Sequence, residues 1–428
     1  MRLGLVVGIL LVTLLAAPAV AQQVEVTLQE AVRRSLDVQP AMVQARGDER
    51  NAGASRRSAF GAFLPTLSVS GSAQRSNQAF RLPNDTTTYP PIYTYSGGLN
   101  ASLDLFAGFR RAANLRSAYA NNAAASAGVV NQRFQVTLQT KQTFYNALAT
   151  EELVRVAESQ VRRAQQQLQI SVEKLHAGSA TRSDSLRSTV DYGNARIALL
   201  QAQASLATAQ ANLGRQIGVD QPVRAVPDTA LPALPDTSRL RETVIPTAPQ
   251  VEQAEGQARA ARAQVWSARS QYWPILNVSY SNSRSGTTYP VLPFLEPYKE
   301  TFRWTFGVNW PLFNGFVREQ NQVSMSVSRD VAEARAADTR RQVNAQLTQQ
   351  LAALATTYEQ ISIARDNLAA ATEDLRVQNE RYRVGAATIL DLLTSQAALT
   401  QAEVNVVQTR FNYLIARAQV EAVVGRTL

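Results

Sequence analysis

Four segments of the chain alternate apolar and polar residues with a period of two, the pattern of a β-strand. In the first of them, Leu67 and Val69 alternate with Thr66, Ser68 and Ser70. The apolar sides of the four segments consist of Leu67, Val69 and Ala73; Tyr95, Leu99, Ala101, Leu103 and Leu105; Leu276, Val278 and Tyr280; and Phe302, Trp304, Phe306, Val308 and Trp310.

These four predicted strands could belong to an ordinary half-buried sheet, but two features favour a membrane β-barrel. The strands run to about ten residues, the length that crosses a bilayer at a tilt. Their apolar sides carry aromatic residues near the strand ends, as in a lipid-facing wall with interfacial girdles. Four strands cannot close a barrel. Several chains must therefore contribute strands to it.

A very long helix is predicted after each pair of strands, from about Phe109 to Leu175 and from about Gly315 to Tyr382. At 1.5 Å per residue, a helix of ~65 residues is about 100 Å long. Apolar and small residues recur every three or four positions along Val154–Leu175, Leu186–Ala211 and Leu393–Ala418. This heptad spacing predicts left-handed coiled-coil packing. Polar residues cover the other faces, which favours a thin-walled helical tube with water on both sides.

The two halves of the chain share one register and indicate a duplication. The pattern Gly-x-Ala-Thr-x-x-Asp-x-Leu occurs from Gly178 and again from Gly385, an offset of 385 − 178 = 207. Phe106 and Phe313 keep that offset, whereas Pro65 and Pro274 differ by 209. Each half is predicted to hold a first helix, about 27–60 or 250–271, then two strands and two long helices. A variable loop would absorb the two-residue difference.

Four sequence regions follow from this pattern. Residues 1–21 resemble a secretory signal peptide, with Arg2, an apolar run and a small-x-small site ending at Ala21. Residues 22–217 form the first repeat, and residues 249–428 form the second. Residues 218–248 contain several prolines and are predicted to be a linker rather than a core element. No later segment is apolar for long enough to predict a transmembrane helix.

Composition excludes several functional classes. The chain has 428 residues, no Cys and one His, so it lacks disulfides, thiolate metal sites and most catalytic dyads. A net charge of +10 would suit nucleic-acid binding. However, its Lys and Arg residues are scattered along helical faces, and export argues against a nucleic-acid partner. With no phosphate loop, nucleophile triad or metal cluster, we assign no catalytic, cofactor-binding or metal site.

Several motifs together resemble the TolC-like outer-membrane efflux proteins over essentially the whole mature chain. They are Thr27-Leu28-x-Glu30-Ala31 with Pro40, Leu64-Pro65-x-Leu67-x-Val69, Leu105-Phe106-x-Gly108, Pro311-Leu312-Phe313-x-Gly315, and the two turns Gly178-x-Ala180-Thr181 and Gly385-x-Ala387-Thr388. The resemblance implies a mainly α-helical chain whose hairpins form an α-barrel tunnel and whose four strands join a shared, trimeric, twelve-stranded β-barrel. It implies a homotrimer in the outer membrane that serves a periplasmic adaptor and an inner-membrane pump, in a tripartite efflux or type I secretion system.

The resemblance also implies roles for individual residues. Gly108 and Gly315 would be strand-to-helix hinges. The tips that dock the adaptor would contain Gly178, Ala180, Thr181, Asp184, Gly385, Ala387 and Thr388. The periplasmic mouth would be lined by Asp391, Tyr382 and Thr394, with Ala387 and Thr394 standing where the family has an arginine and a second acid.

Each of these residues also has a purely structural interpretation. Asp184 and Asp391 follow Thr181 and Thr388 at the spacing of a capping box. Tyr382 lies at a heptad position and would pack in a core. At the level of the whole protein, a periplasmic coiled-coil adaptor that never enters a membrane is the main alternative, and an enzyme is a remote one. The adaptor alternative should lack the four amphipathic strands.

Overall fold

The computed structural model describes residues 24–76, 92–227, 231–235, 247–287 and 299–428. The predicted signal peptide and part of the proline-containing stretch lie outside these residues. The described residues form two compact units. Unit 1 contains those within 1–39, 136–233 and 355–418, and unit 2 contains those within 40–135, 234–354 and 419–428.

The described elements follow the predicted duplicated order. They are β1 (Val24–Val26), α1 (Leu28–Val38), α2 (Pro40–Gly61), β2 (Thr66–Ser76), β3 (Ile92–Ala107), α3 (Arg110–His176), α4 (Arg182–Ile217), β4 (Val223–Ala225), α5 (Pro249–Arg269), β5 (Ile275–Gly286), β6 (Lys299–Asn309), α6 (Val317–Arg383) and α7 (Ile389–Val424). The long helices α3 and α6 each contain 67 residues. A short 3₁₀ turn, Ser270–Tyr272, follows α5.

The first predicted helix is two helices in the structure. Helix α1 ends with the Gln39 N–H bonded to the Ser35 carbonyl at 2.9 Å, and α2 begins at Pro40. Proline disfavours the helical conformation in the residue before it and has no N–H to donate. Gln39 accordingly adopts an extended backbone. The helix is therefore interrupted at the point where the sequence places Pro40.

Unit 2 contains an antiparallel sheet with the strand order β2-β3-β5-β6. Its register places Val69 opposite Leu99, Ala101 opposite Tyr280, and Tyr280 opposite Trp304, so the apolar sides of all four strands share one face. Large residues on this face remain exposed, including Leu67, Val69, Phe302, Trp304, Phe306 and Val308. The predicted alternation is thus confirmed, with its apolar face open to the surroundings.

The pairing of β3 with β5 contains one irregularity that strict alternation does not predict. A bulge between Asp104 and Phe106 removes Leu105 from the alternation, and Phe106 pairs with Leu276 on the apolar face instead. A β-bulge adds one residue to one strand and leaves it unpaired. The bulge thus adds Phe106 to the apolar face, a residue that the predicted alternation did not include.

A two-stranded parallel sheet corrects the prediction for the proline-containing stretch. Val24–Val26 of β1 pair with Val223–Ala225 of β4 in unit 1. Val223 and Ala225 are buried, with exposures of 0% and 2%. The region 218–248 is therefore not free of core elements, because its first residues add a strand between the two prolines Pro222 and Pro227.

The heptad pattern of α4 identifies a stripe that is exposed within the chain. Leu186, Val190, Ile197 and Leu200 are 55–65% exposed. The buried side of α4 instead carries Ser188, Ala195, Ala209 and Leu213, among others. The coiled-coil stripe predicted for α4, which the sequence assigned to no particular partner helix, is therefore not covered by the described residues of this chain. In α7, by contrast, the predicted positions Val407, Phe411 and Leu414 are buried.

The two units have separate buried clusters. In unit 1, Leu375, Tyr382, Ile389, Leu392 and Leu399 form a core beside the turn between α6 and α7. In unit 2, Ala248, Val251 and Val343 form another. No helix among the described residues combines the length and apolarity needed to cross a membrane.

Candidate functional site: the helix turns and the strand-to-helix hinges

The turn between α3 and α4 is a Schellman motif. Gly178 has a φ of +71°, its N–H bonds to the Leu175 carbonyl at 3.1 Å, and the Ser179 N–H bonds to the Lys174 carbonyl at 2.9 Å. The same two bonds recur around Gly385, whose φ is +82°. Left-handed backbone at this position favours glycine. Both predicted tip glycines therefore end a long helix in the same geometry.

Both second helices begin with a capping box. The Asp184 N–H bonds to the Thr181 hydroxyl oxygen at 3.2 Å, and the Thr181 N–H and hydroxyl donate to the Asp184 carboxylate at 2.9 and 2.7 Å. Thr388 and Asp391 repeat this arrangement with the same three distances. The duplicated Thr-x-x-Asp spacing thus stabilises two helix N-termini.

The capping box also holds both carboxylates in their ionised form. Hydrogen bonds from the backbone and the hydroxyl of Thr388 lower the pKa of Asp391 below its usual value. The equivalent bonds from Thr181 lower the pKa of Asp184. Asp391 is exposed, whereas Asp184 is half-buried. Asp391 is therefore an ionised carboxylate on an accessible surface at neutral pH.

Tyr382 lies in the buried cluster of unit 1 and is 9% exposed. The Lys174 ammonium lies 4.0 Å from the centre of its ring and donates a 2.7 Å hydrogen bond to its carbonyl oxygen. The structure thus links α3 to the end of α6 at this residue. Sequence analysis did not identify Lys174, which the 207-residue offset aligns with Arg381.

The remaining predicted mouth and tip residues occupy different environments. Ala387 is half-buried against the cluster that contains Tyr382. Thr394 is exposed, and its hydroxyl donates to the Leu390 carbonyl of its own helix at 2.8 Å. Ala180 is half-buried at the first turn. Tyr382 and Ala387 therefore share one cluster, while Thr394 lies outside it.

The predicted hinges are pairs of left-handed residues. Gly108 and Phe109 have φ values of +59° and +67°, and Gly315 and Phe316 have values of +68° and +67°. A Cβ atom at Gly108 would lie 2.5 Å from the Ser270 carbonyl oxygen, whereas one at Gly315 would have no atom within 4 Å. Both hinges turn the chain from strand to helix in the same way, but only the first is tightly packed.

The comparisons with known proteins agree with this geometry. Residues 31–219 and 240–426 match the family described as Outer membrane efflux protein, so the match covers most of both repeats. The chain belongs to this family. It is thus an outer-membrane efflux channel protein, and the predictions of family, fold class, general function and outer-membrane location are confirmed.

Relatives within the outer membrane efflux proteins span most of the chain. The pyoverdine export outer membrane protein OpmQ of Pseudomonas aeruginosa is 28% identical over 420 residues, covering 92% of this chain and 83% of OpmQ. The outer membrane efflux protein BepC of Brucella suis is 24% identical over 342 residues, covering 77% of this chain and 72% of BepC.

Solved structures establish the fold. CusC superimposes with a TM-score of 0.82 at 18% identity, over 94% of this chain and 93% of CusC. The CmeC outer membrane channel of Campylobacter jejuni gives 0.81 at 17% identity, over 93% of this chain and 85% of CmeC. VceC of Vibrio cholerae gives 0.81 at 17% identity, over 94% of this chain and 96% of VceC.

Sequence analysis missed an arginine at each hinge of this efflux protein. Arg111 donates to the Leu105 carbonyl at 3.0 Å and lies 5.1 Å from the centre of the Phe63 ring. Arg318, at the 207-residue offset, donates to the Leu312 carbonyl at 3.1 Å and lies 4.6 Å from the centre of its aromatic partner, the Tyr272 ring. The duplicated register contained this signal.

Two polar pairs inside the hairpins were also missed. The hydroxyls of Ser171 and Ser188 are 2.9 Å apart between α3 and α4, and Ser395 donates to the Asp374 carboxylate at 2.6 Å between α6 and α7. Ser188 and Ser395 are equivalent in the repeat. Buried hydroxyl groups without partners are costly, so these pairs fix the rotation of each helix near its turn.

Proposed function

We propose that the chain forms a passive homotrimeric duct rather than an enzyme, and that it carries substrates from a periplasmic adaptor and inner-membrane pump across the outer membrane. The observation that carries the proposal is the four-stranded sheet of unit 2. Its edge strands β2 and β6 each have a neighbour on one side only, while its apolar face is exposed. In a bilayer, unpaired strand edges leave backbone groups unsatisfied. Other copies of the chain would pair these edges.

Three copies would supply twelve strands. The exposed apolar stripe of α4, Leu186 to Leu200, supports the same conclusion from unit 1. Because this stripe has heptad spacing but is not covered by the described part of its own chain, a helix of another copy is its fitting partner. The duct would then have helical walls in the periplasm and a shared barrel in the membrane.

Cysteine cross-linking tests the assembly directly because the chain has no native Cys. Ser70→Cys on β2 would be combined in turn with Thr301→Cys, Arg303→Cys or Thr305→Cys on β6. Within one chain these strands lie three strand spacings apart, about 14 Å, which is too far for a disulfide. We expect one combination to give covalent dimers and trimers. A membrane-inserted protein that stays monomeric by mass and never cross-links would contradict the proposal, and the single-cysteine variants are the controls.

We infer that the two tips dock the adaptor. Gly178 and Gly385 are exposed, and a Cβ atom at either would meet no atom within 4 Å. A bulky substitution there should therefore strain one turn without disturbing a core. We expect Gly178→Leu and Gly385→Leu to insert normally but to cross-link poorly to the adaptor and export slowly. Normal docking and export in both variants would leave only the helix-capping role.

We further infer that Asp391 contributes a charged ring to the periplasmic mouth, near Tyr382 and Thr394. Its ionised, exposed carboxylate supports this role, because three copies near a symmetry axis would attract cations. Asp391→Asn keeps the size and removes the charge, and should lower the cation preference in single-channel recordings. Asp184→Asn is the matched control and should change it less. Unchanged selectivity in Asp391→Asn would place the gate elsewhere.

The inner-membrane pump, rather than this duct, would select the cargo. Relatives of this chain are named for pyoverdine export, toluene efflux and antibiotic efflux. These compounds differ in size and charge, so relatives of one family carry chemically unrelated cargo. We propose that this duct likewise selects weakly.

A further inference from the structure

A groove with a volume of about 360 Å³ lies between the start of α3 and the end of α5, within unit 2. Its walls are aromatic: Phe109, Trp266 and Trp273 are 52–66% exposed. Its floor is formed by small buried residues that include Ala113 and Ala263. A groove with aromatic walls and a floor of small apolar side chains suits an apolar chain or ring.

The strand register shows that this groove adjoins the apolar face of the sheet. Phe106 pairs with Leu276 on the apolar face of the sheet. Its ring makes edge-to-face contacts with Phe109 and Trp273, at centroid distances of 5.4 and 6.4 Å. These two residues line the groove. The groove is thus continuous with the apolar face of the sheet, which would meet lipid in the proposed duct.

The groove lies away from the edges at which copies of the chain would meet. Gly108 and Phe109 follow β3, and Trp273 precedes β5. These two strands are the central pair of the sheet, whereas β2 and β6 are its edges. A second copy would pair with an edge strand, so it is not the fitting occupant of a groove below the centre of the sheet.

The polarity of the groove changes along its length. Phe109 and Trp273 lie next to the strands, while Arg116 lies seven residues further along α3, about 10 Å at 1.5 Å per residue. Arg269 is the last residue of α5 and lies beside the strands, but its guanidinium group reaches back over Trp266, 5.2 Å from the ring centre, and so lies further from the strands than its backbone. An amphiphile with its tail toward the membrane and an anionic group toward the periplasm matches this order.

The two arginines of the groove differ from their neighbours in having no acidic partner. On α5, Arg259 pairs with Glu255 at 3.8 Å, and Arg262 pairs with Glu333 at 2.6 Å. Among the residues that the structure describes, neither Arg116 nor Arg269 forms an ion pair. Two uncompensated guanidinium groups beside an aromatic groove favour a phosphate group.

We propose that this groove binds an anionic phospholipid of the inner leaflet of the outer membrane. Arg116 and Arg269 would contact the phosphate, and the aromatic walls would hold the first segment of an acyl chain. The inference rests on the proposed membrane position of the sheet. The duplication does not repeat the groove's chemistry, because Arg57, Phe60, Leu64 and Val323 are aligned with Trp266, Arg269, Trp273 and Arg116. Each chain would therefore contain one such site.

Tryptophan fluorescence can test the site in the full chain. The protein has four Trp residues. Trp304→Phe with Trp310→Phe leaves only the two indoles of the groove. This background would be placed in phosphatidylcholine nanodiscs, and brominated phosphatidylglycerol or brominated phosphatidylethanolamine would be titrated into the bilayer. We expect the anionic lipid to quench at a clearly lower mole fraction.

The arginine variants give the size of the effect. A basic residue near an anionic lipid contributes about fivefold to binding. Arg269→Gln and Arg116→Gln should therefore each lower the preference for the brominated anionic lipid about fivefold. Arg57→Gln, an exposed arginine of α2 outside the groove, is the matched control and should leave the preference unchanged.

A second protein separates failure of the lipid site from failure of the proposed function. It keeps only Trp304, which lies on the apolar face of β6. If brominated phosphatidylcholine does not quench Trp304, the sheet is not in the membrane and the proposed function fails. If Trp304 is quenched but the groove indoles respond equally to both brominated lipids, or if both arginine variants keep the wild-type preference, the lipid site is overturned alone.

Discussion

The two hinge glycines should respond differently to the same substitution. In Gly108→Ala and Gly315→Ala, the new residue must keep a left-handed backbone, which costs about 1–2 kcal/mol for a residue with a Cβ atom. At Gly108 the added Cβ would also lie 2.5 Å from the Ser270 carbonyl oxygen and 2.8 Å from Trp273 Cβ. Overpacking of this kind costs about 1–3 kcal/mol more. We therefore expect losses of about 2–5 kcal/mol for Gly108→Ala and about 1–2 kcal/mol for Gly315→Ala.

The measurement is urea unfolding of the detergent-solubilised protein, followed by helical circular dichroism. If unfolding is irreversible, the unfolding rate at a fixed urea concentration replaces the midpoint. Gly315→Ala is the matched control, since it has the same backbone strain and open space around the new methyl group. Equal losses in the two variants would refute the packing argument. A loss confined to Gly315→Ala would show that neither the left-handed strain nor the contact with Ser270 is present at Gly108 in solution.

Three further predictions concern the turns. Thr388→Ala should cost about 1 kcal/mol at the start of α7 and raise the pKa of Asp391, as measured by hydrogen exchange and carboxyl titration. Because folding lowers the pKa of Asp391, the ionised carboxylate stabilises the start of α7 fully at pH values above the usual pKa of 3.8, and this stabilisation is lost as the pH falls through the lowered pKa of the folded protein. Asp391→Asn should therefore abolish this pH dependence of local hydrogen exchange. Lys174→Met should destabilise unit 1 by about 1–2 kcal/mol through lost contacts with Tyr382, and a double-mutant cycle with Tyr382→Leu that shows no coupling would contradict this.

Long periodic elements were predictable because two copies of each pattern constrain one another. The helix predicted from about Phe109 to Leu175 spans Arg110–His176 in the structure, and the strand alternation gave the shared apolar face. By contrast, β1 and β4 have three residues each and pair across nearly 200 positions of sequence. Three residues contain too little periodicity to predict a strand. Their pairing depends on tertiary contacts alone.

The stripe on α4 shows a different limit of sequence analysis. Heptad spacing identified Leu186 and Val190 as residues that need a partner, but it cannot say which helix provides one. In the structure, Ser188 lies on the buried side of α4 and contacts Ser171 of α3. A small polar residue therefore faces the partner helix within the hairpin, while the larger apolar residues face outward. Hydrophobicity alone would assign these two faces the other way round.

The two hinge arginines show that the duplication extends to the contacts at each strand-to-helix hinge. Arg111 and Arg318 each bond to the carbonyl of the residue three positions before the hinge glycine, Leu105 or Leu312. A planar guanidinium group can stack flat on a ring while its several N–H groups donate to carbonyl oxygens in its own plane. Each arginine thus joins the end of a strand to an aromatic residue that precedes its neighbouring strand. A charged residue at the first turn of a helix would ordinarily be assigned to solvent. Two repeats in the sequence identify this arginine as part of the strand-to-helix hinge. The arginine recurs at the 207-residue offset, and its aromatic partner recurs at the 209-residue offset.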